Sequence, residues 1–229
     1  MTITYELVKG LKDEPYDAFK ARIWNALEAR HSDDRAEMFK VSLTEEKPPA
    51  LSVIPFGKEK IAAIQTRWSA APDSVDLALE GILGLYTVSE AFPVAYDRTW
   101  QIGERTPGVC LLTLFRQRKD LDKETFLSRW HNGHTPLSLK IHPLWHYSRN
   151  VVETLAPGSA RLDGIVEEHT RTREELLNPT KFFGGPLAML PNMIRTYFDV
   201  RSFLDYSSIT PYLTSEYYLK DITRKPDTR

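Results

Sequence analysis

Five of the six histidines lie between positions 131 and 169, leaving only His31 in the first half of the 229-residue chain. The densest stretch is Trp130-His131-Asn132-Gly133-His134-Thr135-Pro136-Leu137. On a helix, Phe126, Trp130 and His134 recur four residues apart and share one stripe, which turns His134 toward a core rather than toward water. Pro136 has no N–H and restrains Thr135, so the helix is expected to kink or end beside His134 and to free backbone polar groups there. An imidazole held inward at such a point titrates near neutral pH and can exchange protons with a ligand. The competing reading is a buried histidine bonded to a backbone carbonyl. His131, one turn from Leu127, reads either as a second proton carrier or as a rim residue. His142, just before Pro143, is expected in solvent.

The next segment, Trp145 to Val151, is polar for a strand. Alternation puts Trp145, Tyr147, Arg149 and Val151 on one face and His146, Ser148, Asn150 and Val152 on the other. Farther on, Ile165, Glu167 and His169 share a face. Polar groups taken inside need partners or a polar cavity. These strands therefore carry either hydrogen bonds between two halves of the molecule or the wall of a ligand site.

The elements that must hold these residues repeat. Residues 3–8 alternate as a strand does, and Asp17 to Arg30 carries Phe19, Ile23 and Leu27 at helical spacing. Gly108 to Phe115 is a second apolar run, and the helix from Lys123 carries Phe126 and Trp130. Phe19-x-x-Arg22-x-Trp24 in the first helix parallels Phe126-x-x-Arg129-Trp130 in the second. Glu37–Leu43 and Lys60–Trp68 read as strands, matched by His146–Glu153 and Asp163–Thr170. Helices fit Val75–Leu85 and Arg171–Phe183, and the halves close with alternating segments at Val94–Trp100 and Met193–Val200. The order is βαββαβ twice, the ferredoxin-like motif, in an α+β chain. A sheet with helices on one face must cover the other, and two such units can cover each other. The expected organisation is a scaffold half over residues 1–104 and a working half over 105–200. An aromatic extension over 201–229 would then pack on the barrel or on a neighbouring chain.

Composition narrows the function. With 41% hydrophobic and 11% aromatic residues the chain can build a core, which excludes a disordered tail. Lys and Arg number 30 against 31 Asp and Glu, a net charge of −1, which argues against nucleic acid or an anionic membrane as the main partner. The single Cys110 excludes an internal disulfide framework and cysteine-rich zinc sites. With no basic-then-apolar N-terminal segment and no run near the ~20 apolar residues of a membrane span, a soluble, cytoplasmic protein is expected. His131 with His134, and His142 with His146, are spaced for a shared metal, but converging carboxylates or cysteines are not evident. Glycines at 81, 84, 184 and 185 are too sparse for a phosphate loop. No metal and no cofactor is expected.

The second half resembles an EthD domain of the dimeric α/β-barrel superfamily. The residues that carry the resemblance are Phe126-x-x-x-Trp130-x-x-x-His134-x-Pro136-Leu137, then Tyr147-x-x-Asn150, then Asp163-Gly164-Ile165-Val166-Glu167-Glu168. They cover about a third of the chain; the first half matches only as a degenerate repeat. EthD domains usually pair as two chains, so a tandem copy implies a dimeric α/β-barrel-like fold built within one chain, with a homodimer still open. The superfamily includes cofactor-free dehydratases, cyclases, isomerases and decarboxylases of aromatic or polyketide-like compounds, haem binders, and an accessory factor in ether degradation. The resemblance marks His134 as the acid or base. His131 and His169 depart from the usual pattern and would enrich a cavity in proton carriers.

The expected function is a cofactor-independent lyase that decarboxylates or dehydrates a small aromatic or polyketide-like acid. Its cavity would lie between the second-half sheet and helices, walled by Trp130, Trp145, Phe182 and Phe183. His134 would shuttle the proton, His131 or His169 would assist, and Tyr147 would donate to a phenol or carbonyl. Arg149 would hold a carboxylate, and Asn150 would also bind the substrate. The alternatives are a non-catalytic accessory or ligand-binding protein with the same cavity, and a metal or haem protein.

Overall fold

The computed structural model describes residues 1–28, 30, 33–70 and 79–223. The first half supplies strands β1 (Thr2–Lys9), β2 (Ala36–Leu43), β3 (Ile61–Trp68) and β4 (Ile82–Val94), with helix α1 (Tyr16–Glu28) after β1. The second half supplies β5 (Val109–Phe115), β6 (Leu144–Leu155), β7 (Gly164–Thr170) and β8 (Thr210–Asp221). All eight close into an antiparallel barrel in the order β1-β3-β2-β8-β5-β7-β6-β4. The two halves join where β2 pairs with β8 and β4 with β6. Closure leaves none of these eight strands as an open edge.

Alternation decides what each face carries. Ile3, Tyr5 and Leu7 of β1 join Tyr86, Leu112, Leu114, Ile165 and Tyr212 in a cluster inside the barrel. Outside, Val8, Val41, Ala62 and Ile64 pack on Phe19, Ile23 and Leu27 of α1. Those three helix residues are almost fully buried, so the first-half outer face is filled by close-packed side chains.

The outer face of the second half is covered differently. Helix α2 (Lys123–Ser128) passes into a π-helical turn (Arg129–His134) and then into α3 (Thr135–Ile141). The sequence predicts a kink or an end at this point; the helix instead widens by one residue. The Thr135 N–H bonds to the Trp130 carbonyl, and Pro136 falls in the first turn of α3, where its missing N–H costs little. Two short helices, α4 (Arg173–Leu177) and α5 (Pro179–Phe182), lead to the long α6 (Met189–Phe203).

Four sequence expectations change. Met193–Val200, read as the closing strand, lies within α6, where Met193, Tyr197 and Val200 recur at helical spacing. The closing strand is β8, inside the segment expected to be an extension. Its polar residues alternate on a barrel-facing side, which masks it as a strand. In the first half, Ile82–Leu85 opens β4 instead of ending a helix, and residues 95–100 form a loop after it. The beginning of the expected helix, residues 75–78, and His31 lie outside the described residues. No helix among the described residues is long and apolar enough to cross a membrane.

Candidate active site

Between the outer face of β5–β7 and the helices of the second half lies a cavity of about 340 Å³. The sheet forms its floor with Leu111, Thr113, Tyr147, Val166 and Glu168; Trp130 and His134 come from the π-turn, and Ser138 and His142 from α3 and its C-terminal cap. Helix α6 adds Met193, Thr196, Tyr197, Val200 and Phe203, and Phe182 and Phe183 close one end. The first half also contributes, because the β2–β3 connection brings Val53, Ile54 and Pro55 to the rim. Gly57 pins that connection: its N–H bonds to the Pro211 carbonyl, and a Cβ there would meet the Tyr212 ring at 2.5 Å. Under the π-turn, a Cβ at Gly164 would strike Phe115 at 2.4 Å and Trp130 at 2.9 Å. Only glycine lets the Trp130 ring lie this close to the sheet.

His134 is held from both sides. Its Nδ1 lies 2.6 Å from Asp199 Oδ2 and its Nε2 lies 3.1 Å from Ser138 Oγ. With Nδ1–H donating to the Asp199 carboxylate, Nε2 keeps its lone pair and accepts from the Ser138 hydroxyl. Phe203 flanks the imidazole at 5.2 Å between ring centres. The expected inward orientation is present, but the partner is a carboxylate and not a backbone carbonyl.

Glu168 is a site residue that the sequence pattern does not single out. It lines the same cavity, and among the described residues no hydrogen bond or ion pair to its carboxylate is found. Burial raises its pKa to about 7, partly opposed by the charge of nearby His134. Tyr147 is its register partner on β6, so both project from the same patch of sheet. Burial also pushes the Tyr147 phenol well above its usual range, which keeps it a neutral donor. Its Oη lies 3.4 Å from Trp130 Nε1. The Thr196 hydroxyl, buried and without a partner among the described residues, is a further polar group at the wall.

Other expected site residues fall elsewhere. His131 does not line the cavity; it sits beside the Trp130 ring at 5.3 Å, and burial lowers its pKa to about 4. Arg149 donates to Thr135 Oγ1 at 2.9 Å and lies over the Trp130 ring, outside the lining. Trp145 packs against Tyr96 and Trp100 on the other side of the sheet. Asn150 and His169 point into the barrel, where Asn150 donates to Ser148 Oγ and His169 Nε2 lies 3.4 Å from Glu216 Oε1. Burial opposes charge on His169, but Cys110 and Glu216 beside it outweigh that and hold its pKa above that of an ordinary histidine. His142, expected in solvent, is buried in the cavity wall, stacked on Phe182, with Nδ1 donating to the Phe182 carbonyl. Among the described residues no three His, Cys, Asp or Glu side chains group as metal ligands.

No protein-family model matches the sequence, and no curated protein matches it. Among solved structures, the chain is similar to one titled "Crystal structure study of anthrone oxidase-like protein", at a TM-score of 0.56 and 10% identity. The match covers 100% of this chain and 96% of that one. At that identity the likeness is one of fold, an α+β barrel shared over its whole length.

Proposed function

We propose that the chain is a cofactor-independent lyase that decarboxylates or dehydrates a small aromatic or polyketide-like acid. The observation that carries this reading is the unpaired Glu168 carboxyl facing the same aromatic-walled cavity as the Asp199-held His134. A carboxyl that titrates near 7 is both protonated and ionised at neutral pH, so it can give or take a proton. Among the described residues no Lys or Arg lines the cavity, so an ionised acid brought into it is destabilised relative to an uncharged product.

In decarboxylation the bond to the carboxylate breaks and its electron pair moves into the ring or an adjacent carbonyl. Carbon dioxide leaves, and the Glu168 proton goes to the carbon. Tyr147 donates to the oxygen on which negative charge gathers. In dehydration His134 Nε2 removes the proton beside the carbonyl, and Glu168 protonates the departing hydroxyl. His134 then returns the proton through water to Glu168, which restores both groups.

The repeated strand orders, β4-β1-β3-β2 and β8-β5-β7-β6, support reading the halves as tandem ferredoxin-like units, the second EthD-like. The fold neighbour's title supports small-molecule chemistry in such a barrel.

The test is incubation with hydroxylated aromatic acids and polyketide-like keto acids without added cofactor, followed by mass spectrometry. Loss of carbon dioxide or water, abolished in Glu168→Gln and His134→Ala, is expected. Saturable binding without conversion, retained in both variants, would instead identify an accessory binding protein.

A further inference from the structure

The barrel interior holds a second set of polar side chains, separated from the cavity above by the sheet itself. Around two carboxylates at its depth this set is paired. Glu167 accepts from Tyr5, Lys40 and Ser42, and Glu216 accepts from Lys40, Tyr96 and Thr106. Toward the open end this changes. A cavity of about 300 Å³ is lined there by Lys40, Gln65, Arg67, Arg98 and His146, among others.

Three of these side chains keep a buried polar atom left over: Gln65, His146 and Arg67, whose Nε has no partner among the described residues although its Nη2 donates to Glu90. Gln65 donates from Nε2 to Glu90 at 2.5 Å, and its Oε1 has no partner among the described residues. His146 Nδ1 accepts from the Tyr96 backbone N–H, and burial drives the ring's pKa down to about 2, so it is neutral and carries its proton on Nε2. That N–H also lacks an acceptor among the described residues. Gln65 is fully buried and His146 is 3% exposed, so each unmade bond destabilises the fold unless a partner reaches it. Beside them the Tyr96 and His146 rings lie 4.0 Å apart, with Phe92 5.4 Å from His146. Lys40, Arg67 and Arg98 are already paired with Glu167 and Glu216, Glu90 and Asp221. Exposed Asp97 sits at the rim.

We propose that the open end of the barrel is a second binding site, for an uncharged flat ring compound carrying a hydrogen-bond donor and an acceptor on one edge. The acceptor takes the proton of His146 Nε2, the donor gives to Gln65 Oε1, and the ring packs against Phe92 and Tyr96. The carboxylates beside Lys40, Arg67 and Arg98, with Asp97 at the rim, disfavour an anion. The site is independent of the lyase reading and shares no lining residue with that cavity.

The probe is benzamide, titrated by ligand-observed NMR, with benzoate as the charged analogue. Saturable benzamide binding is expected, at least tenfold tighter than benzoate. It should weaken at least tenfold in Gln65→Met and in His146→Phe, and stay within twofold in Glu168→Gln. Should His146→Phe fail to fold, Gln65→Met and the benzoate comparison still decide. Absence of saturable binding to the wild-type protein overturns the proposal, as does binding that responds to Glu168→Gln and not to Gln65→Met.

Discussion

Glu167 and Glu168 are chain neighbours on β7 with opposite fates. Glu167 points into the barrel and is surrounded by a lysine, a tyrosine and a serine that all donate to it. Glu168 points outward into an aromatic cavity with its carboxyl unpaired and its pKa raised by burial to about 7. The strand's two-residue period alone separates them. A buried charge that is fully paired holds elements in register, whereas one left bare is free to titrate against a ligand. The inner face of this sheet is built for cohesion, and on the proposed reading the outer face serves chemistry.

That contrast is broken most sharply through the outer face. Once a substrate is found, His134→Ala should lower turnover by roughly 10²- to 10⁴-fold, the usual worth of a positioned acid or base, with the melting temperature close to wild type. A matching drop in stability would make His134 a packing residue.

Lys40→Met attacks the inner face. It strands Glu167 and Glu216 in the barrel without their shared cation and should cost about 3–5 kcal/mol in denaturant unfolding. A loss under about 1 kcal/mol would mean the two carboxylates are held well enough by their hydroxyl donors.

Glu168→Gln sharpens the comparison through pH. The folded pKa of Glu168 lies above the unfolded carboxylate value, so the folded state holds a proton that the unfolded chain has lost. Stability therefore falls as pH rises through the window from about 4.5 to 7. The variant should be more stable than wild type by about 3 kcal/mol at pH 8 and equal to it at pH 4. An equal difference at both pH values would refute an ionisable Glu168. The smallest effect is expected at His131, which lies outside the cavity: His131→Gln should change turnover by less than about threefold.

Much of this arrangement is legible in the sequence. The Phe126, Trp130, His134 stripe reads directly as an inward histidine, and the β6 alternation puts Tyr147 on the correct face. Sequence pattern assigns His169 to the same cavity because alternation says which residues share a face but not which face is inside. Only the pairing of His146 opposite His169, and of Tyr147 opposite Glu168, separates the lumen set from the cavity set. Asp199 stays hidden because Met193–Val200 shows enough alternation to pass for a strand, and a strand would not bring Asp199 over His134. The Trp24 signature in α1 resembles that of the second half, yet it sits over a packed face, with its ring edge-on to Tyr217. A repeat in sequence carries the scaffold and not the chemistry.

The place of β8 has a consequence for how the chain reaches this state. It is the last described strand, yet it lies between β2 and β5 and joins residues 36–43 to residues 210–221. During synthesis β2 has its final neighbour only after residues 210–221 have emerged. Such long-range closure makes for slow folding, with the edges of both β2 and β5 exposed for sticking to other chains throughout the wait. Maturation is therefore gated by the synthesis of β8, and its removal should leave aggregating material instead of a stable half-molecule.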